Sequence, residues 1–154
     1  MKALWMLCCA IVGVAALTSV SSADSMGNAA AAAAPTIVMP DSLTWTPVKG
    51  IDGAMMAVVY GDPTKAGSVY TLRLKLADGT KIPAHWHNDS ERVTVLSGTF
   101  MVGVGNTMDM ASMKALGPGS FVFIPAGVRH YAMAKGETIV QTTGNGPFTM
   151  NMVK

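Results

Sequence analysis

Apolar and polar residues alternate over much of this chain from about residue 36 onward. In residues 69–77, one face carries Tyr70, Leu72, Leu74 and Leu76, and the residues between them are polar or charged. A period of two is typical of a strand with one buried face. Similar short segments predict further strands at residues 54–60, 82–87, 91–96, 99–104, 120–124, 128–134, 138–143 and 148–153. Only residues 108–116 are expected to form a short helix, so the pattern predicts an all-β sandwich or barrel.

The first 23 residues follow a different pattern from the rest of the chain. Lys2 precedes an apolar stretch over residues 3–17, and Ser21, Ser22 and Ala23 then present small side chains. This order is typical of a secretory signal peptide, so we predict cleavage after Ala23 and a periplasmic or secreted location. The alternative is an uncleaved membrane anchor, because the apolar run approaches the lower length limit for a span. After cleavage we expect no stable membrane span.

An alanine-rich segment follows the predicted leader. Six consecutive alanines at 29–34 end at Pro35, and six residues are too few for a stable isolated helix in water. We therefore interpret residues 24–40 as a disordered tail and residues 41–154 as the folded domain.

Charge and cysteine content exclude several classes of function. The whole chain has a formal net charge of +2, and removal of the leader would remove one lysine. We find no basic run or patch, so we expect no nucleic-acid partner. Both cysteines, Cys8 and Cys9, lie within the predicted leader, so the exported chain would form no disulfide.

Three histidines are the only ones in the chain, and they predict a metal site. They are His85, His87 and His130. Residues two apart in a strand point to the same side, so His85 and His87 should face one point. A polar turn after His87 allows Glu91 to face the same point. Imidazole nitrogens and a carboxylate suit one divalent transition metal, with iron, manganese, nickel, copper and zinc all possible.

The spacing of these residues resembles the cupin superfamily. Residues 79–98 read as glycine, five residues, His-x-His, three residues, Glu, six residues, glycine, and residues 119–130 read as glycine, five residues, Pro-x-Gly, two residues, His. Ala134 departs from the family pattern, which commonly has asparagine there. The resemblance covers roughly residues 45–150. It implies a cupin-type jelly-roll β-barrel with the four ligands His85, His87, Glu91 and His130 at its open end.

The chain is also similar to small, single-domain, exported bacterial cupins. The shared features include Tyr60-Gly61-Asp62-Pro63 and a late Gly-Pro-Phe at residues 146–148. That group carries no settled activity, so the resemblance informs the fold and the site more than the reaction. Because cupins commonly pair through β-strands, the resemblance also implies a possible homodimer.

The expected surroundings of the metal favour oxygen or redox chemistry. Extending the alternation places mostly aliphatic neighbours around the ligands: Val93, Val95, Val128, Ala132, Leu72 and Leu74. Tyr70 and Tyr131 are the only nearby candidates for proton transfer, and acid–base catalysis would require more groups than this. A metal that acts on dioxygen, superoxide or a small oxygen-containing molecule requires fewer. The alternatives are a non-catalytic module that binds a small molecule or metal, and a sensory protein whose assembly depends on occupancy.

Methionine is the other unusual feature of the composition, with 13 residues in the chain. Residues 108–113 and 150–152 have spacings that could offer several thioethers to a soft ion such as Cu(I). The alternative is that methionine fills irregular apolar gaps in the core.

Overall fold

The fold is described here from a computed structural model of residues 34–154. The predicted signal peptide and the alanine run up to residue 33 lie outside these described residues. The division of the chain at residues 23 and 40 stays a prediction. Within the described part, residues 37–154 form one compact unit. No helix in this part is long and apolar enough to cross a membrane.

Nine strands and two short 3-10 turns account for the regular structure of residues 34–154. The turns span Pro40–Ser42 and Met110–Ser112. The strands are β1 Thr46–Pro47, β2 Ala54–Tyr60, β3 Val69–Leu76, β4 Lys81–Trp86, β5 Glu91–Val104, β6 Lys114–Leu116, β7 Phe121–Ile124, β8 His130–Asn145 and β9 Asn151–Met152. The prediction of an all-β fold is therefore confirmed.

The two longest strands, β5 and β8, organise the sheet. They pair antiparallel with each other, from Arg92 opposite Thr143 to Val104 opposite His130. Strand β8 also pairs with β3 through its second half and with β4 through its first half. Strand β5 pairs with β6 and β7 on its other side, and β1 and β9 lie at the two ends of the path β1-β2-β3-β8-β4-β9. All of these pairs are antiparallel.

The sequence prediction divided β5 and β8 into shorter strands, and this was wrong. Residues 91–96 and 99–104 belong to one strand, and so do 130–134 and 138–143. Gly98 and Gly136 have φ values of 75° and 73°, and the register shifts on both sides of Ser97. A glycine with positive φ bends a strand at a bulge without ending its pairing. A Cβ at Gly98 would lie 2.2 Å from the Glu137 carbonyl oxygen, so the bend depends on glycine.

Two further local predictions need correction. The expected helix over residues 108–116 is a 3-10 turn followed by strand β6, because residues 114–116 pair with β5 and do not continue the turn. Asp109 caps the turn: its carboxylate accepts from the Ala111 amide at 3.0 Å, and its carbonyl accepts from the Ser112 hydroxyl at 3.0 Å. The expected strand over residues 148–153 shortens to Asn151–Met152, since residues 146–149 cross beside the histidines and do not continue a ladder.

The inner face of the curled sheet forms the main hydrophobic core. The alternation in β3 is as predicted: Tyr70, Leu72, Leu74 and Leu76 are all buried. Burying an aliphatic side chain of this size stabilises the folded state by about 1.5–3 kcal/mol. The core comprises Ile51, Ala54, Leu74, Leu76, Ile82, Val93, Val95, Phe100, Val102, Ile124, Ala132, Ala134 and Val140. This core supports one side of the histidine site.

A second, smaller cluster forms around Tyr131 and contains several methionines. Tyr131 lies across Gly103 of the neighbouring strand, and its hydroxyl is 2.8 Å from the Ser112 hydroxyl. The cluster comprises Ala84, Met113 and Tyr131, with Met101, Met108, Met133 and Val153 packed against it. Here methionine fills a gap between a loop and the sheet. Met110 and Met152 are exposed, and thioether binding by the two methionine segments stays a prediction.

Candidate metal centre

The strand pairing brings the four predicted ligands to one end of the sheet. His85 is near the end of β4 and lies opposite His130, the first residue of β8. His87 follows β4 directly, and Glu91 is the first residue of β5. The Gly127 amide donates to the His87 carbonyl oxygen at 2.9 Å. This hydrogen bond joins the turn before His130 to the segment that carries His85 and His87.

The three imidazoles lie within a few ångströms of each other, and the Glu91 carboxylate lies beside two of them. One ring nitrogen from each histidine lies within 4.8 Å of the others. Glu91 Oε2 is 3.4 Å from His87 Nε2 and 3.4 Å from His130 Nε2. The three histidines are only 2–5 % exposed. The structure therefore brings together every residue that the sequence proposed for the site, and their role as metal ligands stays a prediction.

Backbone carbonyl groups fix the orientation and the proton of each imidazole. Nδ1 of His85 is 2.7 Å from the Pro83 carbonyl oxygen, and Nδ1 of His130 is 3.0 Å from that of Val128. Nδ1 of His87 is 2.5 Å from the Thr149 carbonyl oxygen. A carbonyl oxygen can only accept, so each Nδ1 must donate its proton. The neutral ring then has its lone pair on Nε2, and a metal binds the ring nitrogen that carries the lone pair.

The electrostatics of the site keep Glu91 ionised and His85 neutral. Burial alone would raise the pKa of Glu91, but the imidazoles of His130 and His87 hold that pKa well below its ordinary value. Burial, together with the neighbouring His130, lowers the pKa of His85 from 6.5 to about 4. Burial opposes the protonation of His87, but the Glu91 carboxylate and the Thr149 carbonyl raise its pKa overall. Thr142 also donates to Glu91 Oε1 at 3.3 Å.

This donor set fits a divalent metal ion. His87 Nε2 is buried and has no hydrogen-bond partner among the described residues. A buried nitrogen without a partner costs free energy that a bound cation would recover. Three neutral imidazoles and one carboxylate form a set that several divalent transition metals accept. The described geometry could hold such an ion, and it does not distinguish among metals.

A small cavity adjoins the four residues. Its volume is about 30 Å³, enough for about two water molecules. Apart from the candidate ligands, Thr142 is the only polar residue in its lining within the described part of the chain. The apolar lining consists of Leu74, Ile82, Val93, Phe100, Ile124, Ala132, Val140, Phe148 and Met150. The cavity therefore favours small ligands with little need for hydrogen bonds.

The predicted neighbours of the metal are partly confirmed. Leu74, Val93 and Ala132 line the cavity, as the strand alternation predicted. Leu72 and Val95 are buried but do not line it, and Val128 packs against the main core. Tyr70 and Tyr131 do not line it either.

Sequence reasoning missed Phe148 and Thr149, which come from a distant segment. The Phe148 ring stacks on His87 with centroids 5.2 Å apart and an interplanar angle of 26°. The backbone carbonyl of Thr149 orients the same imidazole. The late Gly-Pro-Phe at residues 146–148 was the only sequence signal for this segment, and it did not indicate contact with the site.

A family model described as a cupin domain matches residues 72–143, a range that includes all four candidate ligands. A search of curated protein sequences found none that matches this chain. The match to the cupin-domain model is therefore the relationship found from sequence. The other similarities are similarities of fold.

Solved structures, two of them described as cupins, share the fold of this chain at low sequence identity. An RmlC-like cupin from Shewanella frigidimarina is 19% identical, with a TM-score of 0.58, covering 73% of this chain and 91% of that chain. A cupin 2 conserved barrel domain protein from Rhodopseudomonas palustris is 17% identical, with a TM-score of 0.59, covering 76% and 83%. The polyketide cyclase RemF from Streptomyces resistomycificus is 17% identical, with a TM-score of 0.65, covering 79% and 87%. These similarities confirm the predicted cupin-type jelly-roll fold.

Proposed function

The chain belongs to the cupin superfamily, and from this premise we propose that it is a mononuclear metalloprotein. His85, His87, Glu91 and His130 hold one divalent transition metal, which serves oxygen or redox chemistry on a small molecule. The observation that carries the proposal is the common orientation of the imidazoles, with each Nδ1 fixed on a carbonyl group. Iron, manganese, nickel and copper suit this chemistry, whereas zinc, which has no redox change, suits only a protein that binds without turnover.

The surroundings of the site favour redox chemistry over acid–base catalysis. A redox-active ion, when bound, supplies electron transfer to a small oxidant such as dioxygen. The protein contributes the orientation of the ligands, the negative charge of Glu91 and an apolar cavity that limits access of water. Among the described residues, the lining holds no lysine, arginine, tyrosine or second carboxylate. A reaction that depends on a separate general acid and base is therefore disfavoured.

Metal analysis of variants tests the metal assignment. Protein purified without added metal should contain one ion per chain, and His87→Ala should lose it while remaining folded by circular dichroism. Glu91→Gln should bind metal more weakly because it loses the negative charge. Glu137→Gln is the matched control, since this exposed carboxylate lies outside the site. Wild-type metal content in His87→Ala would contradict the assignment.

A non-catalytic binding module is the second candidate, and it is favoured by the small cavity, whose described lining has no acid–base group besides the candidate ligands. Such a protein would retain a small molecule or a metal ion without turnover. Metal-loaded protein should be incubated with small organic reductants under oxygen, and product should be followed over many equivalents. Sustained turnover that a chelator stops supports the enzyme. Tight association with no turnover supports the binding module.

We also propose export to the periplasm or the medium, on the basis of the leader predicted at residues 1–23. Amino-terminal sequencing of protein from a periplasmic extract should begin at or after Asp24. Recovery of full-length chain from the cytosol alone would contradict export. The family resemblance also implies a homodimer. Sedimentation of the same purified protein at several concentrations tests whether it forms.

A further inference from the structure

The Phe148 side chain forms one wall of the metal cavity. Its ring stacks on His87, and Tyr70 contacts it edge-on from another side with centroids 5.8 Å apart at 74°. Phe148 itself is only half-buried and lines the cavity. One side of the ring therefore borders the cavity while another part of the residue reaches solvent.

The segment that carries Phe148 is fixed at both ends by hydrogen bonds. On one side, the Gly146 amide donates to the Ser68 carbonyl oxygen at 2.8 Å, and the Phe148 amide donates to that of Pro63 at 2.7 Å. On the other side, the Asn88 amide donates to the Thr149 hydroxyl at 3.3 Å. The ring is thus positioned by the barrel on both sides.

The size of the cavity makes this wall important for selectivity. A volume of about 30 Å³ leaves room for about two water molecules beside the ligand atoms. The ring stacks on the imidazole of His87 and so covers that face of it. We therefore expect a carboxylate or enediol attached to a ring or a long chain to meet the Phe148 side chain as it approaches His87.

We infer that Phe148 is a specificity-determining residue that restricts the metal centre to ligands of about three non-hydrogen atoms or fewer. Dioxygen, superoxide and small triatomic anions belong to this class. The inference rests on the proposed metal site, and it extends that proposal by naming the size of the ligand. Phe148 contacts a candidate ligand residue and the ligand space, and it supplies no reactive atom.

Cobalt(II)-loaded protein provides the test, because its visible absorption reports ligands that enter the metal site. Formate and benzoate are the paired probes, since they present the same carboxylate and differ in size. Wild-type protein should bind formate at least about tenfold more tightly than benzoate, and Phe148→Ala should remove most of that difference by strengthening benzoate binding. Formate binding should change little.

Two further variants keep the test decisive. Phe121→Ala removes an exposed phenylalanine of β7 that does not line the cavity, so it should leave both affinities unchanged. Phe148→Leu retains an apolar side chain and should show an intermediate gain for benzoate, which covers the case in which the alanine variant does not fold. Benzoate binding to the wild type as tight as formate binding would overturn the inference, and so would the absence of any gain in folded Phe148 variants. Failure of the wild type to take up cobalt would instead refute the metal site itself.

Discussion

Acidification should destabilise the metal-free protein through His85. Its pKa falls from 6.5 to about 4 on folding, chiefly because the imidazole is buried. The unfolded chain therefore binds this proton more readily than the folded chain, and stability rises with pH. The contribution of His85 is fully present above pH 6.5 and is lost as the pH falls towards 4. A change of this size corresponds to about 3 kcal/mol in the free energy of unfolding.

This change is a substantial fraction of the free energy of unfolding of an ordinary domain, which is about 5–15 kcal/mol. Two other ionisable residues of the site, Glu91 and His87, change the stability over different pH ranges. The pKa of Glu91 is lowered, so its contribution is lost only below its unfolded pKa of 4.5. The pKa of His87 is raised, so its contribution is present below pH 6.5 and is lost as the pH rises through its folded value. Between pH 6.5 and about 4.5, the slope thus reports mainly His85.

Urea unfolding of chelator-treated protein measures the effect. The wild type should lose stability between pH 6.5 and about 4.5 with a slope approaching 1.4 kcal/mol per pH unit, and His85→Gln should lack most of this slope. The variant is compared with itself across pH, so any general loss of stability from the substitution cancels. Equal slopes in wild type and variant would refute the claim that burial keeps His85 neutral.

Three further outcomes are expected from the same structure. Thr142→Val removes the hydroxyl that donates to Glu91 at 3.3 Å, and a titration should show metal affinity lower by about tenfold with secondary structure unchanged. Gly103→Ala places a Cβ 2.3 Å from the Tyr131 ring and should lower the free energy of unfolding in urea by about 1–3 kcal/mol. The control Gly117→Ala, where an added Cβ has no neighbour within 4 Å, should leave that free energy within about 0.5 kcal/mol of the wild type. Metal removal by a chelator should lower the thermal midpoint of the wild type, because an ion that binds only the folded state stabilises it, whereas an unchanged midpoint would contradict metal binding to the native protein.

The positions of three of the four candidate ligands could be predicted because two local rules determine them. Alternation along β4 and just beyond its end brings His85 and His87 together, and the short turn after His87 begins β5 at Glu91. His130 was harder to place from local pattern, since it depends on pairing between β4 and β8. The spacing resemblance supplied that long-range information, and strand alternation alone did not.

The supporting contacts could not be predicted, because every residue carries the group involved. The partners that orient the imidazoles are backbone carbonyl groups of Pro83, Val128 and Thr149. Nothing in a side-chain pattern distinguishes one carbonyl from another, so only the folded path of the chain selects them. The same limit applies to β5 and β8, where glycines that usually mark turns produce bulges within continuous strands. A positive φ is a local property, whereas continued pairing depends on the partner strand.

Proton supply is the property that most restricts the chemistry of this site. Each Nδ1 proton is committed to a carbonyl group, and Glu91 stays ionised because neighbouring imidazoles lower its pKa. The Tyr70 hydroxyl lies outside the cavity lining, and burial raises its pKa to about 12. With the three imidazoles held by a metal through Nε2, the other described residues around the cavity offer no acid that gives up a proton readily at neutral pH. Reactions that consume protons must draw them from solvent or from the substrate itself, so turnover limited by proton delivery should slow in D₂O without any protein residue setting its pH dependence near neutrality.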